Sequence, residues 1–393
     1  MTPNTLLWLV TGCLMLQPLS TDLYLASLPS MATDFGVSPA AVQNTLSLFV
    51  IGFGSAQLVS GPLSDRYGRR PVLIGGLTLY LLSSIACALA PGLTWLVAAR
   101  FAQAIGCCTG AVVARAIIRD AYAPAEGAHL LAKASSLLSA APIFGPVLGG
   151  YLQVAFGWRA AFVAMAVVGL AIWIAALRRM KESNRQPNPQ AMRLDSLIRT
   201  YRVVITTPAF WAYALPGALS YASIFVFISG ASFIFIRVLG VATEHYGYLF
   251  AFGVCGFLGG TLICRRLLDT VGLQGVLRLG TSIGLAGGLG FLGFVIADVR
   301  HWILVAIALF VVMTAHGINT PCAQSGSLAP FPEQAGAAAG LFGCVMMFVA
   351  LLTGIWVAGS HDGTLLPLAS ISATVSVVLF VSTRLLARHG KDK

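Results

Sequence analysis

The sequence predicts an all-α polytopic membrane protein with twelve transmembrane helices arranged as two pseudo-symmetric six-helix halves. Of its 393 residues, 58% are hydrophobic and only 9% are charged, whereas soluble domains carry about 25% charged residues. Apolar runs long enough for a spanning helix, about 20 residues, recur along the whole chain. A transmembrane β-barrel would instead show alternating segments of about 10 residues, and the sequence contains none.

The predicted helices are joined by short loops, with one longer polar stretch halfway along the chain. The helices cover residues 6–28, 43–63, 72–91, 94–118, 130–154, 160–178, 209–236, 244–264, 274–297, 302–324, 337–358 and 364–386. We therefore predict an N-terminal half at 1–178, a cytoplasmic linker at 179–207 and a C-terminal half at 208–393. Weak similarities relate the two halves: residues 123–128 resemble 329–336, and the hairpin after helix 2 resembles 265–272. A transporter built this way places its site at the midplane between the halves.

A charged hairpin sets the predicted orientation. It reads Gly61-Pro62-Leu63-Ser64-Asp65-Arg66-Tyr67-Gly68-Arg69-Arg70-Pro71, and its dense charge cannot lie in hydrocarbon. If this hairpin is cytoplasmic, most of the 24 Lys and Arg residues are cytoplasmic too, which is the positive-inside pattern. Both termini are then expected inside the cell, and the net charge of +11 does not indicate a nucleic-acid partner.

The sequence contains no motif that indicates an enzyme active site or a metal site. All eight cysteines lie in or beside apolar runs, without a CxxC pair or a Cys/His cluster, so we interpret them as small packing residues rather than disulfides or metal ligands. The sequence has no Gly-rich phosphate loop ending in Gly-Lys-Ser/Thr, no nucleophile elbow and no zinc-binding helix. We expect neither catalysis nor a cofactor, and no direct use of ATP.

The strongest functional candidates are charges inside predicted helices, which are costly in a bilayer. Asp22 is the only carboxylate well inside a helix, and Arg100 in helix 4 lies at a similar depth. The two could form a purely structural pair. We favour a functional interpretation, because an aspartate in a wet cavity takes up and releases protons as its neighbours change.

Several weaker candidates accompany this pair. Arg115 either extends to the membrane surface or faces the central cavity, and the sequence does not decide between them. His316 lies near the midplane beside Asn319 and is either a hydrogen-bonded packing residue or a titrating one. Four aromatic residues could line an apolar pocket, or serve only as packing: Tyr24, Tyr221, Phe225 and Phe227.

Three motifs resemble those of the major facilitator superfamily. The hairpin from Gly61 to Arg70 is similar to its loop 2–3 signature. Residues 141–150 resemble the antiporter motif of drug:proton exporters, with Pro142, Gly145, Pro146, Gly149 and Gly150 as its characteristic residues. Arg100-Phe101-Ala102-Gln103-Ala104-Ile105-Gly106 resembles the helix 4 motif, with Ala104 where glycine is usual.

Two further stretches resemble the Bcr/CflA-like multidrug efflux branch: Pro18 to Leu25, and Gln43 to Gln57. Ala26 and Ser232 stand where that branch often has proline, and Arg237 where an acidic residue is frequent.

The resemblance implies the major facilitator fold and proton-driven export of chloramphenicol-, bicyclomycin- or sulfonamide-like drugs across the bacterial inner membrane, by a monomer. It implies that Asp22 links proton and substrate, and that Arg100 takes part in proton coupling. It also implies a cytoplasmic gate made of Gly61, Asp65, Arg66, Gly68, Arg69 and Arg70. The alternatives are a proton-coupled exporter or importer of a metabolite such as a sugar or amino acid on the same fold, and a membrane sensor that transports nothing.

Overall fold

The computed structural model describes residues 3–122, 126, 127, 130, 133, 134, 137, 138, 140–184, 187–299, 301–332 and 334–386. Residues 123–125, Arg185, Glu333 and the C-terminal residues 387–393 therefore lie outside the described part, as does much of the predicted first part of helix 5. The elements formed by the described residues are helices and turns, without a strand.

The chain before the polar segment 179–207 forms the first helix set. Its members are α1 (Pro3–Asp22), α2 (Leu28–Asp34), α3 (Pro39–Tyr67), α4 (Arg69–Ala88), α5 (Leu93–Ala121), α6 (Ala140–Phe156) and α7 (Arg159–Arg179). The polar segment itself contains α8 (Leu194–Ile205). The second helix set comprises α9 (Pro208–Phe233), α10 (Thr243–Ile296), α11 (Trp302–Leu328), α12 (Ala335–Gly359) and α13 (Leu366–Leu386).

The predicted fold class is confirmed. Ten described helices are long and apolar enough to cross a membrane, and α6 is a shorter apolar helix. The 54-residue α10 contains a break at Gly272, so its arms 243–271 and 273–296 correspond to two predicted spans. With these arms counted separately and α6 added, the described part of the chain contains the twelve predicted spans.

The prediction of one continuous helix over 6–28 was wrong. The first helix ends at Asp22, a 3₁₀ turn covers Leu25–Ser27, and α2 follows. Proline accounts for much of this break, because Pro29 has no N–H to donate to the carbonyl of Leu25. The break leaves Asp22 at a helix end rather than in a helix interior.

Two glycines with positive φ mark the charged end of the bundle, which we call the hairpin end because it carries residues 61–71. Gly68 separates α3 from α4 with φ of 98°, and Gly272 separates the arms of α10 with φ of 71°. Only glycine adopts such angles freely. The predicted similarity between these two hairpins is thus matched by similar local geometry.

The two helix sets meet along two pairs of helices. One pair is α3 with α12, and the other is α6 with the first arm of α10. Close approach requires small residues: a Cβ at Gly247 would overlap the backbone of Val147, and one at Gly343 would overlap the side chain of Gln57. Small residues have this role in membrane helix packing generally.

The linker helix α8 is amphipathic and was not predicted. Val204 is buried against the second helix set, and the hydroxyl of Tyr201 donates to the carbonyl of Leu58 at 2.8 Å. This contact ties the linker to α3 of the first helix set.

Candidate functional site

Asp22 lies at the end of α1 and is only 5% exposed. Its Oδ1 accepts a hydrogen bond of 2.8 Å from the hydroxyl of Thr21. Tyr221 and Tyr246, both from the second helix set, are near enough to interact with it electrostatically. Among the described residues, no ion pair joins Asp22 to a basic side chain. Asp22 is thus a buried carboxyl group at the boundary of the two helix sets without a cationic partner.

Arg100 is fully buried in α5 and is held mainly by aromatic faces. Its Nη1 donates to Oε1 of Gln103 at 2.5 Å, and Gln103 in turn donates to the hydroxyl of Ser84 at 2.7 Å. Its Nε and Nη2 have no hydrogen-bond partner within the part of the chain that the structure describes. Three rings lie within cation–π distance of the guanidinium carbon: Phe49 at 4.3 Å, Tyr24 at 4.5 Å and Phe162 at 5.8 Å.

The structure therefore keeps the two predicted partners apart. Asp22 has Thr21 and the tyrosines of the second set as neighbours, whereas Arg100 has Gln103 and an aromatic cage. Tyr24, predicted to line a substrate pocket, instead stacks on Arg100 and donates to or accepts from the hydroxyl of Thr45 at 3.1 Å.

A polar cluster on the second helix set lies beside Tyr221. His316 is 6% exposed, and its Nδ1 is 3.1 Å from the hydroxyl of Ser220. The Tyr221 ring is 5.9 Å from the His316 ring and 6.1 Å from the Phe225 ring, measured between centroids. Tyr221 thereby connects the surroundings of Asp22 with His316. Phe225 is fully buried.

Arg115 lies outside this group. It is exposed on α5, and its electrostatic neighbour is Cys108. Phe227 is also elsewhere, buried against Phe291 with centroids 5.7 Å apart.

The helix α6 is pressed between the break after α1 and the start of α10. A Cβ at Gly149 would overlap the carbonyl oxygen of Leu23, and one at Gly150 would lie 2.9 Å from the carbonyl oxygen of Thr243. A Cβ at Gly145 would make an ordinary contact with Asp22, at 3.5 Å. Pro146 lies inside the helix and Pro142 in its first turn. The Pro-Gly segment thus covers Asp22 and brings both helix sets to it.

The hairpin forms a network within the first helix set and the start of the polar segment. Arg69 pairs with Asp65 at 2.5 Å and with Asp120 at 2.8 Å. Arg70 donates to the carbonyls of Met180 and Leu177 at the end of α7. Gly68 has no room for a side chain, because a Cβ would lie 2.6 Å from Oε2 of Glu182.

The other two predicted gate residues contribute less. Arg66 is exposed and stacks on Tyr67, with its guanidinium carbon 5.1 Å from the ring centroid. A Cβ at Gly61 would meet only Val112, at 4.0 Å.

A sequence profile of the Major Facilitator Superfamily matches residues 10–355. The chain belongs to the major facilitator superfamily. A bicyclomycin resistance protein homolog of Haemophilus influenzae is 26% identical over 382 residues, covering 96% of both chains. The multidrug resistance protein MdtL of Escherichia coli is 30% identical, covering 88% of this chain and 85% of its own. A solved D-xylose–proton symporter has the same fold, with a TM-score of 0.76 at 14% identity over 96% of this chain and 97% of that one.

As a member of the major facilitator superfamily, the chain is a multi-pass membrane transporter and not an enzyme. Of the residues predicted for its site, Asp22 lies near Tyr221 of the second helix set, and Phe225 and His316 lie beside Tyr221. Arg100 and Tyr24 form a separate group inside the first set.

Sequence reasoning missed three side chains of this transporter's candidate site. Gln103 could have been predicted from the sequence, because it lies one turn after Arg100 on the same helix face. Phe49 and Tyr246 come from helices far away in sequence, so only tertiary packing places them beside Arg100 and Asp22.

Proposed function

We propose that this transporter is a proton-coupled antiporter that exports small amphipathic drugs, of chloramphenicol-, bicyclomycin- or sulfonamide-like type, across the bacterial inner membrane. The observation that carries the proposal is the buried, unpaired carboxyl group of Asp22 where the helix sets meet. The names of the bicyclomycin and multidrug resistance relatives support the drug class.

The chemistry of Asp22 supports exchange of a drug for a proton. A carboxylate removed from water is stable only if a proton or a partner group compensates its charge. Because no basic side chain of the described residues is paired with Asp22, either a proton or a polar group of the drug can compensate its charge. Tyr221 offers aromatic surface beside Asp22, which suits the apolar part of such a molecule.

Arg100 contributes without contacting Asp22 in this conformation. The three aromatic rings around Arg100 hold its positive charge inside the first helix set. Its Nε and Nη2 stay without a hydrogen-bond partner among the described residues. We propose that these nitrogens become partners of Asp22 or of the drug when the helix sets rock about the central site. The protein works with both termini in the cytoplasm, as a monomer whose halves are 1–178 and 208–393.

The experiment is drug-induced proton release and efflux in proteoliposomes, with a panel of drugs and metabolites and with or without a protonophore. The Asp22→Asn variant should lose protonophore-sensitive efflux, because an amide cannot carry the proton. The matched control is Asp195→Asn, whose parent carboxylate is exposed on the linker helix. Full efflux by Asp22→Asn at normal expression would refute the assignment, and release with metabolites alone would change the substrate class.

We also propose that the hairpin network of Asp65, Arg69 and Asp120, with Arg70 and Gly68 around it, works as a gate at the cytoplasmic side. Asp65→Asn removes the charge that Arg69 holds at 2.5 Å. Drug affinity should stay within about threefold, a change of less than 1 kcal/mol, while transport falls strongly. Binding is measured by calorimetry and transport in proteoliposomes. Unimpaired transport, or lost binding with unimpaired switching between the inward and outward states, would contradict the gate.

A further inference from the structure

Two arginines of the second helix set converge at the hairpin end. Arg384, in the last turn of α13, donates through Nη2 to the hydroxyl of Ser282 at 3.0 Å and stacks on Phe380 at 4.2 Å. Arg278 lies one helical turn before Ser282 in the second arm of α10, and its charge acts on Arg384. The two like charges repel each other unless an anion lies between them.

A small cavity opens beside Arg278. Arg278 lines it together with Gln274 from the same arm, Tyr213 from α9 and Thr383 from α13. Three helices thus direct polar side chains into one space at the end of the bundle.

The described part of the chain supplies no carboxylate partner for either arginine. Within the described residues, neither Arg278 nor Arg384 takes part in an ion pair, and the hydrogen bonds of Arg384 go to neutral hydroxyls. The equivalent turn of the first helix set is different. After Gly68, Arg69 is held by two aspartates, whereas after Gly272 the chain continues with Leu273 and Gln274.

We propose that Arg278 and Arg384 bind the phosphate group of an anionic phospholipid in the leaflet at the hairpin end. Guanidinium groups form paired hydrogen bonds with phosphate oxygens. The lipid is favoured over a soluble phosphate because exposed apolar side chains, Val377 and Val381, lie on the same face of α13 as Arg384. That face offers a surface for the acyl chains directly beside the charged site.

The test is thermal unfolding of the purified full-length protein in detergent, with dioleoylphosphatidylglycerol, dioleoylphosphatidylcholine or inorganic phosphate added. Phosphatidylglycerol should raise the Tm of the wild type by about 3 °C, because a ligand bound only to the folded state stabilises it. The double variant Arg278→Gln/Arg384→Gln should lose most of this shift. Arg266→Gln, which removes an exposed arginine from the same end, is the matched control and should retain it.

The shift, rather than the absolute Tm, is compared, so a less stable variant remains informative. An equal response to phosphatidylcholine, or an unchanged shift in the double variant, would overturn the proposal. The same shift with inorganic phosphate would show that the site takes a soluble anion instead of a lipid. If the double variant does not fold, native mass spectrometry of the wild type in a mixture of both lipids decides, because the proposal requires preferential retention of phosphatidylglycerol.

Discussion

Asp22 and Arg100 show two ways in which a single side chain keeps a polar or charged group inside a membrane bundle. Arg100 lies against three aromatic rings and bonds Gln103, so the protein itself compensates its charge. Among the described residues, Asp22 has the hydroxyl of Thr21 as a partner and no cation within ion-pair distance. The proton-exchanging role therefore falls on Asp22, since its compensation has to come from a proton or a ligand.

The carboxylate of Glu182 has a structural role that depends on pH. Burial alone would raise its pKa, but backbone N–H groups of Asn184, Arg69, Arg70 and Ser183 donate to it and hold the pKa below the usual 4.5. Two of these donors belong to the first turn of α4, so Glu182 caps that helix from the polar segment.

The pKa of Glu182 is lower in the folded protein than in the unfolded chain, so its carboxylate stabilises the folded state. This stabilisation is fully present above pH 4.5 and is lost as the pH falls through the folded-state pKa. We therefore predict that Glu182→Gln lowers the Tm at neutral pH, and that the difference from the wild type shrinks as the pH drops below 4.5. Thermal unfolding across this range measures it. Asp195→Asn, which removes a carboxylate without backbone hydrogen bonds in the described chain, should show no such trend. A difference in Tm between Glu182→Gln and the wild type that stays constant with pH would contradict the capping role.

At the scale of elements, apolar run length predicts the spans well, because each helix must satisfy its own backbone groups in lipid. It does not predict the break after Asp22, since the 23–27 stretch is as apolar as its surroundings and the break follows from Pro29 and from packing on α6. The linker helix α8 was missed for a related reason. Its sequence is polar on average, and it becomes ordered by burying Val204 and Tyr201.

Two glycines of helix α6 differ in the space available for a side chain: Gly149 has none, whereas Gly145 has room for a Cβ. We predict that Gly149→Ala destabilises the protein by about 1–3 kcal/mol, as overpacking does, because its Cβ would overlap the carbonyl oxygen of Leu23. Gly145→Ala is the matched control in the same helix, where the added Cβ would lie 3.5 Å from Asp22. Denaturation of the two variants measures the difference. Equal stability of both would show that α6 does not pack tightly on the break.

For the whole molecule, the sequence predicts two related halves but not which contacts hold them together. These contacts are between residues far apart in the chain. At the end opposite the hairpin, Arg237 donates to the hydroxyl of Thr33 at 2.5 Å and to the carbonyl of Pro29 at 3.0 Å. Nearby, Gln43 donates to the carbonyl of Ser229 at 3.0 Å. Both contacts join the two helix sets across that end.

Arg237 is thus a clamp, and its removal should favour separation of the helix sets at that end. We predict that Arg237→Gln increases hydrogen exchange in α2 and in the π-helical turn Ile234–Val238. The substitution removes charge-assisted hydrogen bonds between these segments, and each such bond stabilises the closed arrangement by about 1.5–3 kcal/mol. Hydrogen–deuterium exchange mass spectrometry measures both segments. Arg159→Gln is the matched control, since Arg159 donates to the carbonyl of Ala90 within the first helix set. Unchanged exchange in Arg237→Gln, or an equal increase in the control, would show that closure at this end depends on the helix packing of α6 and α10 instead.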